Sequence, residues 1–143
     1  MRGVIRIAGT LFFAAFASLA CAGDLLHVRH VGGWNSGLLM EFRSDTSGNF
    51  EWRKRLNPDE QGKANFETRT GRVKVGDVQA LIDRIKQAPE GPKANDVGSA
   101  VFEWQEQRQI RSRTFLFPAR PPCSELLEAV DRLASAGRRQ PKN

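Results

Sequence analysis

Two hydrophobic periods follow one another along this chain, and their order leaves few folds open. Up to about Thr68 the apolar residues recur at every second position. Leu26, Val28 and His30 alternate with His27, Arg29 and Val31 over residues 25–31. Leu38, Met40 and Phe42 alternate with Leu39, Glu41 and Arg43, and Phe50 and Trp52 oppose Glu51, Arg53 and Arg55. Ala64, Phe66 and Thr68 suggest a fourth such segment. A period of two places alternate side chains on opposite faces of a strand. The period then changes to about 3.6. Val78, Leu81, Ile82 and Ile85 form one stripe of a helix, with Asp77 in its favourable first turn and Pro89 beyond its end. Residues 89–99 form a loop rich in Pro and Gly. A second hairpin follows, with Ala100, Phe102 and Trp104 alternating with Val101, Glu103 and Gln105, a turn near Glu106–Arg108, and a return from Ile110 to Phe117. A last helix begins near Cys123–Ser124, carries the stripe Cys123, Leu126, Leu127, Val130 and Leu133, and stops at Gly137.

The order β-β-β-β-α-β-β-α predicts an α+β fold. Each strand hides one face and each helix one stripe, so an antiparallel sheet of five or six strands with two helices packed on one face buries all of them at once. The opposite face is expected to carry Glu51, Arg53, Arg55, Glu67, Arg69, Glu103, Arg111 and Arg113. Charges of both signs on one strand face read first as a solvated surface, and second as a site for an acidic polysaccharide, lipid head group or acidic partner.

The N-terminus reads as an export signal. Arg2 and Arg6 precede an uncharged stretch, Ile7–Gly23, dense in Leu, Phe and Ala, that ends in Ala20-Cys21-Ala22. The stretch is shorter than the roughly 20 residues a membrane span needs. Residues 1–22 are therefore expected to be a signal peptide, followed by one domain over 23–136 and a polar basic tail over 137–143. Ala20 and Ala22 supply the small residues a signal peptidase requires. Ser18-Leu19-Ala20-Cys21 also approximates a lipobox, in which Cys21 becomes the acylated first residue. The soluble product is preferred, because the lipobox leucine usually stands one residue earlier than Leu19. The expected location is the periplasm or the exterior, with a membrane contact only through a lipidated Cys21.

The formal charge of +6 is concentrated at the ends. Arg2 and Arg6 leave with the leader, and Arg138, Arg139 and Lys142 belong to the tail, which leaves +1 for residues 23–137. That balance argues against a nucleic-acid partner. Cys123 stands alone once Cys21 is removed or acylated, so no internal disulfide is expected.

Few residues carry a pattern of chemistry. His27 and His30 fall on opposite strand faces, which argues against a shared metal. Cys123 lies on an apolar helical stripe, so it reads as core before it reads as a nucleophile. Asp59-Glu60 lies in a polar loop, without the fixed separation that paired acids need. No catalytic residue, cofactor or metal is expected, and the chain reads as a binding domain with a protein partner. The candidate contact is Gly32, Gly33, Trp34, Asn35 and Ser36. A Gly-rich loop can present an aromatic side chain to a partner. Against that, large aromatics are mostly buried, which favours Trp34 tucked onto the sheet with the glycines only permitting the bend.

The segment Val31-Gly32-Gly33-Trp34-Asn35-Ser36-Gly37 between two strands, a helix containing Val78-Gln79-Ala80-Leu81-Ile82, a hairpin, and a final Pro-led helix with Leu126-Leu127 resembles the emfourin-type inhibitors. The outline is also similar to small bacterial envelope domains. The likeness covers about residues 25–134, and the leader and the stretch 44–70 depart from the emfourin pattern. It implies inhibition of a thermolysin-like metalloprotease, with the loop 32–37 as the contact.

Overall fold

The computed structural model describes residues 23–34, 36–57 and 64–139. The leader with Ala20, Cys21 and Ala22, and also Asn35, Asp59, Glu60 and the last four residues, lie outside the described residues. The elements are β1 (Asp24–Val31), β2 (Leu38–Asp45), β3 (Asn49–Arg55), β4 (Phe66–Arg72), α1 (Val75–Gln87), β5 (Ser99–Glu106), β6 (Gln109–Phe115), α2 (Cys123–Ala136) and a two-residue β7 (Arg138–Arg139). They form one antiparallel sheet in the order β6-β5-β1-β2-β3-β4-β7, with both helices on one face. The α+β fold is the one the two periods predict.

The core follows the alternation. Leu26 and Val28 from β1, Met40 and Phe42 from β2, Phe50 and Trp52 from β3, and Ala100, Phe102 and Trp104 from β5 are all buried. Val78, Leu81, Ile82 and Ile85 of α1 cover them, together with Cys123, Leu126, Leu127 and Val130 of α2. Burying a Leu, Ile, Val or Phe side chain contributes about 1.5–3 kcal/mol each. The last position of the α2 stripe differs from expectation. Ala134 is buried and Leu133 is only partly so.

The outer strands depart from the expected facing. Register places Arg69 opposite Trp52 and Glu67 opposite Lys54, and places Arg113 opposite Phe102 and Arg111 opposite Trp104. Directly opposite residues share a face. Glu67, Arg69, Arg111 and Arg113 therefore lie on the helix-bearing side, not on the open one. They close the flanks of the core. The Arg69 guanidinium lies 5.1 Å from the Trp52 ring centroid and donates to Ser135 Oγ at 3.1 Å. The Arg113 guanidinium lies 4.8 Å from the Phe115 ring centroid and donates to the carbonyls of Ile85 and Ala88, both at 2.6 Å. Arg113 thereby satisfies carbonyls that the end of α1 leaves without helical partners. Phe66 is correspondingly on the open face, under the guanidinium of Arg53.

The chain end also differs from the expected tail. Arg138 and Arg139 pair with Arg72 and Gly71 of β4. Gly137 does end α2, but with an extended backbone rather than a left-handed one. Its lack of a side chain serves packing, because a Cβ there would lie 2.4 Å from the Phe50 ring.

His30 faces the helices beside the Lys54–Asp131 ion pair, in which Lys54 Nζ and Asp131 Oδ2 are 2.8 Å apart. Burial, reinforced by the Lys54 ammonium and opposed by the Asp131 carboxylate, holds its imidazole below the ordinary 6.5. The unfolded chain thus takes up this proton near pH 6.5, and the folded chain only at lower pH. Stability is full above that value and declines as the pH falls through it. The thermal midpoint of the wild type should drop between pH 7 and about 5, and His30→Gln should flatten that limb. A midpoint that rises on acidification over this range would refute the assignment.

Candidate functional site

At one end of the sheet the described residues of the loop 32–37, between β1 and β2, lie between the end of β3 and residues 96–98, which lead into β5. The loop is held by its own backbone. Gly32 N–H donates to the Gly37 carbonyl at 2.9 Å, and Ser36 N–H donates to the Gly33 carbonyl at 3.1 Å. Ser36 Oγ donates to the same Gly33 carbonyl at 2.5 Å. From β3, Arg55 Nη1 reaches across and donates to the Ser36 carbonyl at 2.5 Å.

On the other side the loop is pressed against residues 96–98. A Cβ on Gly33 would lie 1.9 Å from the Asp96 carbonyl oxygen. Gly98, at φ +89°, approaches Val31 so closely that a Cβ there would lie 2.2 Å from the Val31 carbonyl oxygen. Glycine at these positions is a requirement of backbone contact.

The side chain that this frame presents is Trp34. It is 82% exposed, so it does not tuck onto the sheet. Its φ is +45°, a left-handed conformation that a bulky residue rarely adopts. Leu56, just after β3, and Val97, within residues 96–98, are 64% and 40% exposed. Gly32, Gly33, Trp34 and Ser36 thus belong to one loop, and Asn35 lies outside the described residues. Leu56 and Val97 carry no sequence signal of their own. The only hint is the Pro- and Gly-rich composition of 89–99, which marks a bend without saying which loop it meets.

The open sheet face has a different character. His27 Nε2 lies 2.7 Å from Glu41 Oε2, Arg53 Nη2 lies 3.0 Å from Glu41 Oε1, and Arg29 Nη2 lies 2.8 Å from Glu103 Oε1. Arg43 Nε lies beside the His27–Glu41 pair, 3.8 Å from Glu41 Oε2. Desolvation pulls the Glu41 carboxyl upward. The hydrogen bond from His27 and the charges of His27, Arg43 and Arg53 outweigh it and leave the carboxyl below its usual value. Arg29 and Arg53 are thus engaged by carboxylates of neighbouring strands. His27 and His30 occupy opposite faces, so they share no ligand.

Cys123 opens α2 with its side chain in the core, and burial pushes the thiol up to about 12. A thiol held in that form is a poor nucleophile. Compared with models of protein families and with curated proteins, the sequence finds no match.

Two outcomes follow from this geometry. Gly33→Ala should cost about 1–3 kcal/mol through its collision with the Asp96 carbonyl, measured by urea unfolding. Gly76→Ala, where a Cβ meets nothing within 4 Å, should be neutral or stabilising. Equal effects at the two positions would remove the claim that Gly33 is a backbone contact. Alkylation of Cys123 at neutral pH should be slow and should accelerate in step with unfolding as urea is added. A fast, urea-independent reaction would place the thiol at the surface.

Proposed function

We propose that this chain is an exported binding domain that engages a protein partner through the loop 32–37, outside the cytoplasm. The observation that carries the reading is Trp34. A tryptophan held at φ +45° and 82% exposed contributes little to the core and stores backbone strain. Such strain persists where the surrounding structure over-determines it, and here Gly33, Ser36 and Arg55 do so. Exposed aromatics on rigid loops are favoured anchors at interfaces, because little conformational entropy remains to be lost on binding. Leu56 and Val97 supply a rim of apolar surface for the same partner.

The specific form of this proposal is inhibition of a thermolysin-like metalloprotease, which the emfourin-like arrangement of residues 25–134 suggests. Export rests on the N-terminal pattern. The mature protein is taken to start at Gly23, with an acylated Cys21 as the alternative. An intact mass of the protein isolated from its own envelope decides between them.

Trp34→Ala should keep the fold, with a stability change within about 0.5 kcal/mol because the side chain is exposed. It should lose most of the inhibition measured in a titration against a thermolysin-like protease. If the wild type does not inhibit, the inhibitor form fails. If Trp34→Ala also unfolds the domain, Trp34 is structural and the loop proposal fails with it.

A further inference from the structure

We propose that the outer edge of β6 is a strand-addition site for an extended, acidic segment of a partner protein. Among the described residues, β6 pairs with β5 alone and forms one edge of the sheet. The opposite edge is partly closed by β7, and β6 has no such cover.

The hairpin geometry says which groups are available. β5 and β6 are joined by Gln107 and Arg108, both at positive φ, and register pairs Glu106 with Gln109. A two-residue turn of this kind closes on a hydrogen-bonded pair. Antiparallel pairing then alternates, so the N–H and C=O of Ile110, Ser112 and Thr114 point away from β5. The strand is seven residues long, contains no proline, and has an unbroken register. It therefore offers a regular row of donors and acceptors, the feature that β-strand addition uses.

Side chains beside this edge define the occupant. Residues 107–115 hold three arginines and no acid. Arg108, Arg111 and Arg113 form no ion pair among the described residues; Arg113 is held by the carbonyls of Ile85 and Ala88 with no carboxylate on it, and Glu106, which also feels the Arg111 charge, is engaged by Lys86 at 2.5 Å. Ile110 and Leu116, 53% and 43% exposed, bracket the strand. A cleft of about 240 Å³, lined by Glu90, Gly91, Lys93, Arg113, Phe115 and Leu116 among others, opens beside its C-terminal end. An incoming strand would place one set of side chains opposite Arg111 and Arg113, where carboxylates fit. The alternate set would lie with Ile110.

A second copy of this chain fits poorly. Antiparallel self-pairing about Ser112 sets Arg111 directly opposite Arg113 twice, and like charges in that relation destabilise a sheet. The surface is separate from the Trp34 loop and does not depend on it.

The test uses the folded wild-type protein and a short capped peptide of alternating valine and glutamate. Binding should be saturable by NMR titration and should slow amide exchange at Ile110, Ser112 and Thr114. The same peptide with lysine for glutamate should bind at least about tenfold more weakly, which is about 1.4 kcal/mol. Arg111→Glu should narrow or reverse that preference. Ser112→Pro removes an outward N–H without touching the β5 ladder, so it should fold and lose binding. A glutamate peptide N-methylated on its bonding edge should fail to bind the wild type, whatever Ser112→Pro does to folding. Binding that survives N-methylation, protection of amides elsewhere, no binding at millimolar peptide, or dimerisation through β6 in sedimentation would each overturn the proposal.

Discussion

The two helices are shorter than the six-stranded sheet is wide, and much of this structure follows from that mismatch. Strands about 4.8 Å apart give a six-stranded sheet a width of roughly 24 Å. Both helices run across the strands, and 13 and 14 residues make each about 20 Å long. The middle strands β5, β1, β2 and β3 supply the buried apolar side chains of the sheet, apart from Phe115 of β6. β4 and β6 overhang. Their helix-facing positions hold arginines, whose guanidinium groups lie on Trp52 and Phe115 and whose hydrogen bonds reach α2 and the end of α1. A long cationic side chain suits such a place because its stem covers apolar surface while its head stays hydrated.

The same frame positions the loops. β1 and β3 finish and β5 begins at one end of the sheet, so the connections at that end lie side by side. The Gly-rich loop is then clamped between Arg55 at the end of β3 and the backbone of Asp96. Neither clamp is local, and together they hold Trp34 in a conformation that its own residue type disfavours. The rigidity that binding needs is thus supplied by the sheet through the loop's neighbours, not by the loop sequence alone.

Most of the fold is legible in the residues. The stripe of α1 and the buried faces of β1, β2, β3 and β5 can be read from spacing, since each alternation gathers most of its large apolar side chains on one side. β4 cannot be read this way. Phe66 draws the alternation toward the core, yet the ring lies on the open face beneath Arg53. Its inward partners are Glu67, Arg69 and Gly71, because register with β3 and not hydrophobicity sets which way an overhanging strand turns. Trp34 is the mirror case. Its size argues for burial, and only the clamped loop keeps it out.

By itself the sequence determined the element types and their order, an unpaired Cys123, and a glycine-rich break between the first two strands. Those are local properties, set by spacings of two to four residues. The tertiary structure alone decided that β5 docks on β1, that Arg113 caps α1 across 28 residues, that β7 joins β4, and that Gly33 lies against the backbone of Asp96. Each of these is a meeting of distant segments. Its free energy comes from register, close backbone approach and the width of the layers, none of which any short window of the chain contains.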